Sequence, residues 1–208
     1  MALSKIDAAN FLTGTLPAAN INDTSIGNIT ALPDGVGGSL VKISSATASG
    51  DASVTFDNGS GGVVIDSTYK VYKVICNNLA PATDNVEFRY RFRSSGSDIA
   101  SGYEFNVIAG FVNTTVVGIG SGSSTNPKMT YNNHGNATGE KSMFELTFNI
   151  DAYPSAFGRL TMVNNSDDLS NTTFSMRNTG ATQPNGITFF YESGNISTGE
   201  FILYGVTD

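Results

Sequence analysis

The chain has 208 residues, 39% of them hydrophobic and only 14% charged, which is enough apolar material for one sizeable core or one domain with an appendage. A formal net charge of −7 argues against nucleic acid and anionic membrane surfaces as partners, since both are held by clustered Lys and Arg. A single cysteine, Cys76, excludes an intrachain disulfide and a thiolate metal cage.

Low charge combined with abundant Gly, Ser, Thr and Asn marks a turn-rich β protein rather than a helical bundle. The opening MALSKIDAANF has no apolar core of a secretory leader. No apolar run approaches the ~20 residues that a membrane helix needs. The expectation is a protein made in a cytoplasm, neither exported by a leader nor inserted in a membrane.

Residues 1–35 read as an arm. Ser4-Lys5-Ile6-Asp7 resembles a capping box and predicts a short helix over residues 5–11, closed by Thr13-Gly14. Leu16-Pro17 and Leu32-Pro33 each place an extended residue before a proline. The apolar positions Ile6, Phe11, Leu12, Leu16, Ile21, Ile26, Ile29 and Leu32 are spaced too widely to form a core of their own, so with Pro17 they are assigned to an anchoring surface completed by other subunits. Pro33-Asp34-Gly35 and Gly37-Gly38 form the linker.

Residues 36–208 read as a β head. Strands are predicted over residues 40–44 and 52–56, then over 69–79, where both faces are partly apolar and a central place in a sheet follows. Cys76 falls in the apolar run VYKVIC and reads as a small buried hydrophobe. In the next strand Val86, Phe88, Tyr90 and Phe92 alternate with Glu87, Arg89, Arg91 and Arg93, so one face enters the core and the other carries charge. Further strands are predicted over 103–112 and 114–119. The stretch 120–139, rich in Gly, Ser, Thr and Asn, reads as the longest loop. Alternation returns at Phe144, Leu146, Phe148 and Ile150. Leu160 with Met162, and Thr172, Phe174 with Met176, mark two more strands, separated by the acidic turn 164–168. A closing hairpin is predicted, residues 187–192 against 200–206, with Phe189 and Tyr191 near Phe201 or Leu203. Strands at this spacing predict an all-β, antiparallel, jelly-roll-like sandwich with an extended N-terminal arm.

Candidate chemistry is sparse. His134 stands beside Asn132, Asn133 and Gly135 without a base or nucleophile near it in sequence, and is expected on the surface of a loop. Asp167-Asp168 with Asn164, Asn165 or Asn171 has oxygens suited to Ca²⁺. Adjacent side chains point apart on extended backbone, so a solvated turn is expected instead. No catalytic residue, cofactor or metal site is assigned. The row Arg89, Arg91, Arg93 has two readings: a grip for an acidic neighbour or an anionic glycan, or the solvated face of an amphipathic strand that blunts an edge. Tyr131, Asn132, Asn133 and His134 combine an aromatic ring with amides and form the candidate glycan-contact loop.

The segments LTGTLPAANI, ITALPDGVGGSLVKISSATAS, DSTYKVYKVICNNLAPATD and ITFFYESGNISTGEFILYGV resemble small tail-fibre or virion-appendage proteins of tailed, especially marine, bacteriophages. The likeness spans most of the chain and is weakest over residues 120–138. It implies an attachment or trimerisation stem at the N-terminus and a β-sandwich head. It also implies a place in the virion, tail or capsid proteins as neighbours, a homotrimer, and host-surface polysaccharide as a ligand. A capsid decoration or head-fibre role and a free carbohydrate-binding module are the alternatives.

Overall fold

The computed structural model describes residues 39–112, 116–180 and 182–207. The arm, from Ile6 to Leu32, and the Gly-rich linker lie outside the described residues. Within the described residues the strands are β1 (Leu40–Ala48), β2 (Val54–Asp57), β3 (Val71–Pro81), β4 (Phe88–Ser94), β5 (Ser97–Asp98), β6 (Tyr103–Phe111), β7 (Val117–Ser124), β8 (Ser142–Asn149), β9 (Ser155–Val163), β10 (Leu169–Asn178), β11 (Gly186–Tyr191) and β12 (Ile196–Val206). They form an eight-stranded sheet, β1-β12-β3-β8-β9-β10-β6-β7, and a four-stranded sheet, β2-β11-β4-β5. Each neighbouring pair is antiparallel. The expected all-β antiparallel sandwich is therefore the fold.

Side-chain alternation sets the layers. In β10 every second residue is buried, Ser170 through Asn178, and the residues between are exposed. β4 buries Phe88, Tyr90 and Phe92 completely and turns its arginines outward. β3 lies between β12 and β8, the central place that its two partly apolar faces implied. Its Tyr72, Val74 and Cys76 enter the core, while Val71, Lys73 and Ile75 stay half-buried on the outer face.

Aromatic rings join the two sheets. Phe189 of β11 packs on Phe144 of β8 at 5.4 Å and on Phe201 of β12 at 5.6 Å between ring centroids. Phe88 of β4 meets Phe144 at 5.6 Å, and Phe92 of β4 meets Phe148 of β8 at 5.9 Å. Such pairs add about 0.5–1.5 kcal/mol each beyond the area they bury.

The terminal hairpin is corrected. β11 pairs with β2 and β4 in the small sheet, whereas β12 pairs with β1 and β3 in the large one. The turn between them crosses from one layer to the other instead of reversing in plane. Gly194 takes φ 74 there, against the Thr83 side chain, and the Asn195 amide donates to the Gly50 carbonyl at 2.6 Å. Phe189 and Phe201 do meet, but across the core.

The expected long loop is corrected as well. Its first part, Gly120–Ser124, belongs to β7, and much of the rest is a strap held against β4. β5 is only two residues long and leaves the other end of that edge open. The strap closes it: Met129 N–H donates to the Phe88 carbonyl at 3.0 Å and His134 N–H to the Val86 carbonyl at 2.8 Å. Met129, Thr130 and His134 are fully buried. An unpaired strand edge invites foreign pairing, and this one is covered by the chain itself.

Phe189→Ala removes a ring that touches both sheets and is expected to cost about 3–5 kcal/mol of unfolding free energy in urea titrations. Among the described residues, the buried Tyr90 hydroxyl has no hydrogen-bond partner. Tyr90→Phe is therefore expected to be neutral or stabilising by up to about 1 kcal/mol in the same assay.

Candidate functional site

The arginine row on β4 is engaged within the fold. Arg89 pairs with Glu87 and with Glu192 at 3.1 Å. Arg91 pairs with Asp98 at 3.3 Å, bonds to Asn126 and to the Thr125 carbonyl, and lies 5.1 Å from the Phe190 ring centroid. Arg93 pairs with Asp57 at 2.8 Å and with Asp98. The three side chains are only 14%, 22% and 17% exposed. Burial pushes the Glu87 carboxyl up, but Lys128 and Arg89 outweigh it and hold the group below its ordinary range. The row covers Phe190 and ties the start of the strap to the small sheet. β4 pairs with β11 on one side and with β5 and the strap on the other, so the row does not blunt an open edge.

The candidate contact loop 131–134 is also drawn into the structure. His134, expected on the surface, is fully buried. Its Nε2 lies 3.0 Å from the Glu140 carbonyl and its Nδ1 2.7 Å from the Tyr191 hydroxyl. A carbonyl only accepts, so Nε2 carries the proton and Nδ1 accepts from Tyr191. Tyr131 is half-buried and packs on Phe111 at 6.2 Å between centroids. Asn133 donates to the Asn85 side chain at 2.8 Å, and Asn132 is half-buried. Burial of the strap was hidden by its composition, because Gly, Ser, Thr and Asn fill solvent loops and buried straps alike.

The acidic turn is held by one amide. Asn164 Oδ1 accepts from Ser166 N–H at 2.9 Å and from Asp168 N–H at 3.0 Å, and Asp167 takes φ 61. Among the described residues, no three His, Cys, Asp or Glu side chains come together in a metal-holding group. Cys76 is fully buried, as expected, and burial pushes its thiol well above the usual value, leaving it protonated and inert.

A different surface offers itself for contact: the outer face of the large sheet. The registers Phe157↔Ser175↔Asn106 and Ser155↔Arg177↔Glu104 set six outward side chains in two rows across β9, β10 and β6. They line a shallow depression of about 510 Å³. Phe157 is one of its lining residues and is 63% exposed. Arg177 Nε donates to Glu104 at 2.6 Å, and this pair holds the Glu104 carboxyl below its ordinary range. Arg159 lies two residues beyond Phe157 on the same face and shares Glu145 with Lys73, at 2.8 and 2.7 Å. Arg159 and Arg177 are 69% and 61% exposed, unlike the arginines of β4. Gly158 sits between Phe157 and Arg159, where a Cβ would collide with the Glu145 carbonyl and the Phe174 ring. One signal for this site was present in the sequence. Leu160 and Met162 face inward, so a period of two already turns Phe157 and Arg159 outward.

No protein-family model, no curated protein and no solved structure matches this chain.

The buried imidazole sets a pH dependence. Burial pushes His134 down from 6.5 to about 4, against the Glu140 carbonyl bond, which pulls it up. The unfolded chain therefore takes the proton first. The stability present above pH 6.5 is lost as the pH falls toward 4, by about 3 kcal/mol in total for this group. Urea unfolding from pH 7 to pH 5 is expected to show this fall. His134→Gln, whatever its stability at pH 7, is expected to show a shallower slope over the same range.

Proposed function

We propose that this chain is a structural attachment protein of a bacteriophage particle, a tail-fibre-type appendage. Its N-terminal arm, centred on Phe11, Leu16, Ile21 and Leu32, anchors it to other virion proteins and gathers three copies. Its β-sandwich head meets the host surface. The observation that carries this reading is the outer face of the large sheet. That face is rich in hydroxyls and amides, yet it leaves Ile108, Met143, Phe157 and Leu169 exposed. These side chains stand singly among hydroxyls and amides, a mix of apolar surface with donors and acceptors that a polar ligand can use. The likeness of the arm and the closing strands to phage appendage proteins supports the same reading. So does the buried, doubly bonded state of His134, which makes it unsuited to proton transfer with a substrate.

A second reading is a capsid decoration or head-fibre protein that reinforces the shell. Val112 and Val116, 63% and 70% exposed beside the β6–β7 connection, would suit a flat protein neighbour.

Immunogold labelling of virions with an antibody to the head separates the two readings. Label at the tail is expected. Label over the shell favours the decoration role, and particles without label overturn both. Deleting residues 1–33 is expected to leave a head that unfolds cooperatively but does not enter particles, measured by co-sedimentation. Normal incorporation would contradict the anchoring role of the arm.

A further inference from the structure

We infer that the depression around Phe157 is a binding site for an acidic polysaccharide, with a sugar ring stacked on Phe157 and its carboxylate held by Arg177 or Arg159. The inference rests on the reading of this sheet face as a contact surface and names its ligand. Three features of the site lead to it.

The first is the ring. Phe157 is 63% exposed within a regular strand, while the core of the sandwich is filled by other aromatics. An exposed aromatic face is attractive to the C–H face of a pyranose, which is apolar, and to cations. The second is the set of hydrogen-bonding groups around the ring. Ser175 lies directly across from Phe157 on β10, with Asn106 next in the row on β6 and Ser155 two residues before it on β9. Hydroxyls and amides both donate and accept, as sugar hydroxyls do.

The third is charge. The chain carries a net charge of −7, yet its two most exposed guanidinium groups bracket this ring. Arg159 follows Phe157 by two residues on one side. Arg177, opposite Ser155, lies on the other. Each lies about 7 Å from Phe157 along the strand direction. Their partners leave them in solvent. Lys73, Arg159 and Arg177 are matched in number by Glu145, Glu104 and Asp151, the last held by Asn149 beside Ser155, but the two guanidinium groups stand far more exposed than the other arginines. Arg177 reaches Glu104 through Nε, and the planar guanidinium still has its Nη groups to present to a carboxylate. The arginines of β4 are spent on Asp57, Glu87, Asp98 and Glu192 and cover Phe190, so they do not compete for this role. A neutral sugar would use the ring and the amides but not the exposed Nη donors of Arg177 beside them, so an acidic polymer is the occupant the site fits. Repulsion from the rest of the acidic chain is screened beyond about 8 Å at physiological salt.

Affinity electrophoresis of the full chain in gels containing polygalacturonate, alginate or dextran tests the assignment. Retardation by an acidic polymer and not by dextran is expected. It should weaken about tenfold (about 1.4 kcal/mol) in Phe157→Ala and in Arg177→Ala, and fall as salt rises from about 0.05 M to about 0.5 M. Both substitutions are on exposed side chains, and unchanged urea midpoints will show that the fold is intact. Retardation by dextran alone, retardation unaffected by Phe157→Ala, or none in any gel overturns the assignment. A change of oligomeric state in Phe157→Ala, read by sedimentation, without a change in retardation also overturns it, and makes the face an interface between copies. Failure here with tail labelling of virions intact removes the ligand and leaves the appendage reading standing.

Discussion

The packing of Phe189 between Phe144 and Phe201 is the contact on which the rest of the head depends. It joins a strand of the small sheet to two strands of the large one, and it lies just before the chain crosses between layers at Gly194. Each sheet alone would have one apolar face open to water. Pressed together through these rings, they bury one face each and leave two outer faces with different fates. The small sheet covers its outer face with its own arginines, acids and the start of the strap. Among the described residues, nothing covers the outer face of the large sheet across β8, β9, β10 and β6.

That division explains where positive charge is available. On β4, alternating arginines beside Glu87, Asp98, Asp57 and Glu192 form a network in which each guanidinium has an acidic partner and little exposure. Its contribution is to position the strap, through Asn126 and Lys128, and so to cover the edge that β5 leaves open. On β9 and β10, Arg159 and Arg177 have acidic partners too, but they stand in solvent beside an exposed ring. Exposed ion pairs contribute little to stability, so these two arginines are poorly explained by folding alone.

Much of the fold was legible in the sequence. Strict alternation in β4, β8 and β10 marks them as half-buried strands, and the two partly apolar faces of β3 mark it as internal. What was not legible depends on contacts far apart in the chain. A short turn between two apolar strands looks the same whether it closes a hairpin or passes between layers, which is why β11 and β12 were expected to pair. The strap over β4 reads as a loop because its buried anchors, Met129, Thr130 and His134, are few and lie among the Gly, Ser, Thr and Asn residues typical of solvent loops. The β4 arginines drew notice because they alternate with aromatics, yet that alternation describes the strand and not the availability of the charge. Phe157 and Arg159 were masked by the small residues Ala156 and Gly158, although the inward parity of Leu160 and Met162 already set them outward.

The central claim is that the head makes contact through the Phe157 face of the large sheet and not through the β4 arginines or the loop at Tyr131. Backbone amide chemical shifts of the labelled protein, followed during titration with oligogalacturonate, measure this directly. The largest changes are expected at Glu104, Asn106, Phe157, Arg159, Ser175 and Arg177. Changes centred on Arg89, Arg91 and Arg93 or on Tyr131–Asn133, or none at saturating ligand, would contradict it.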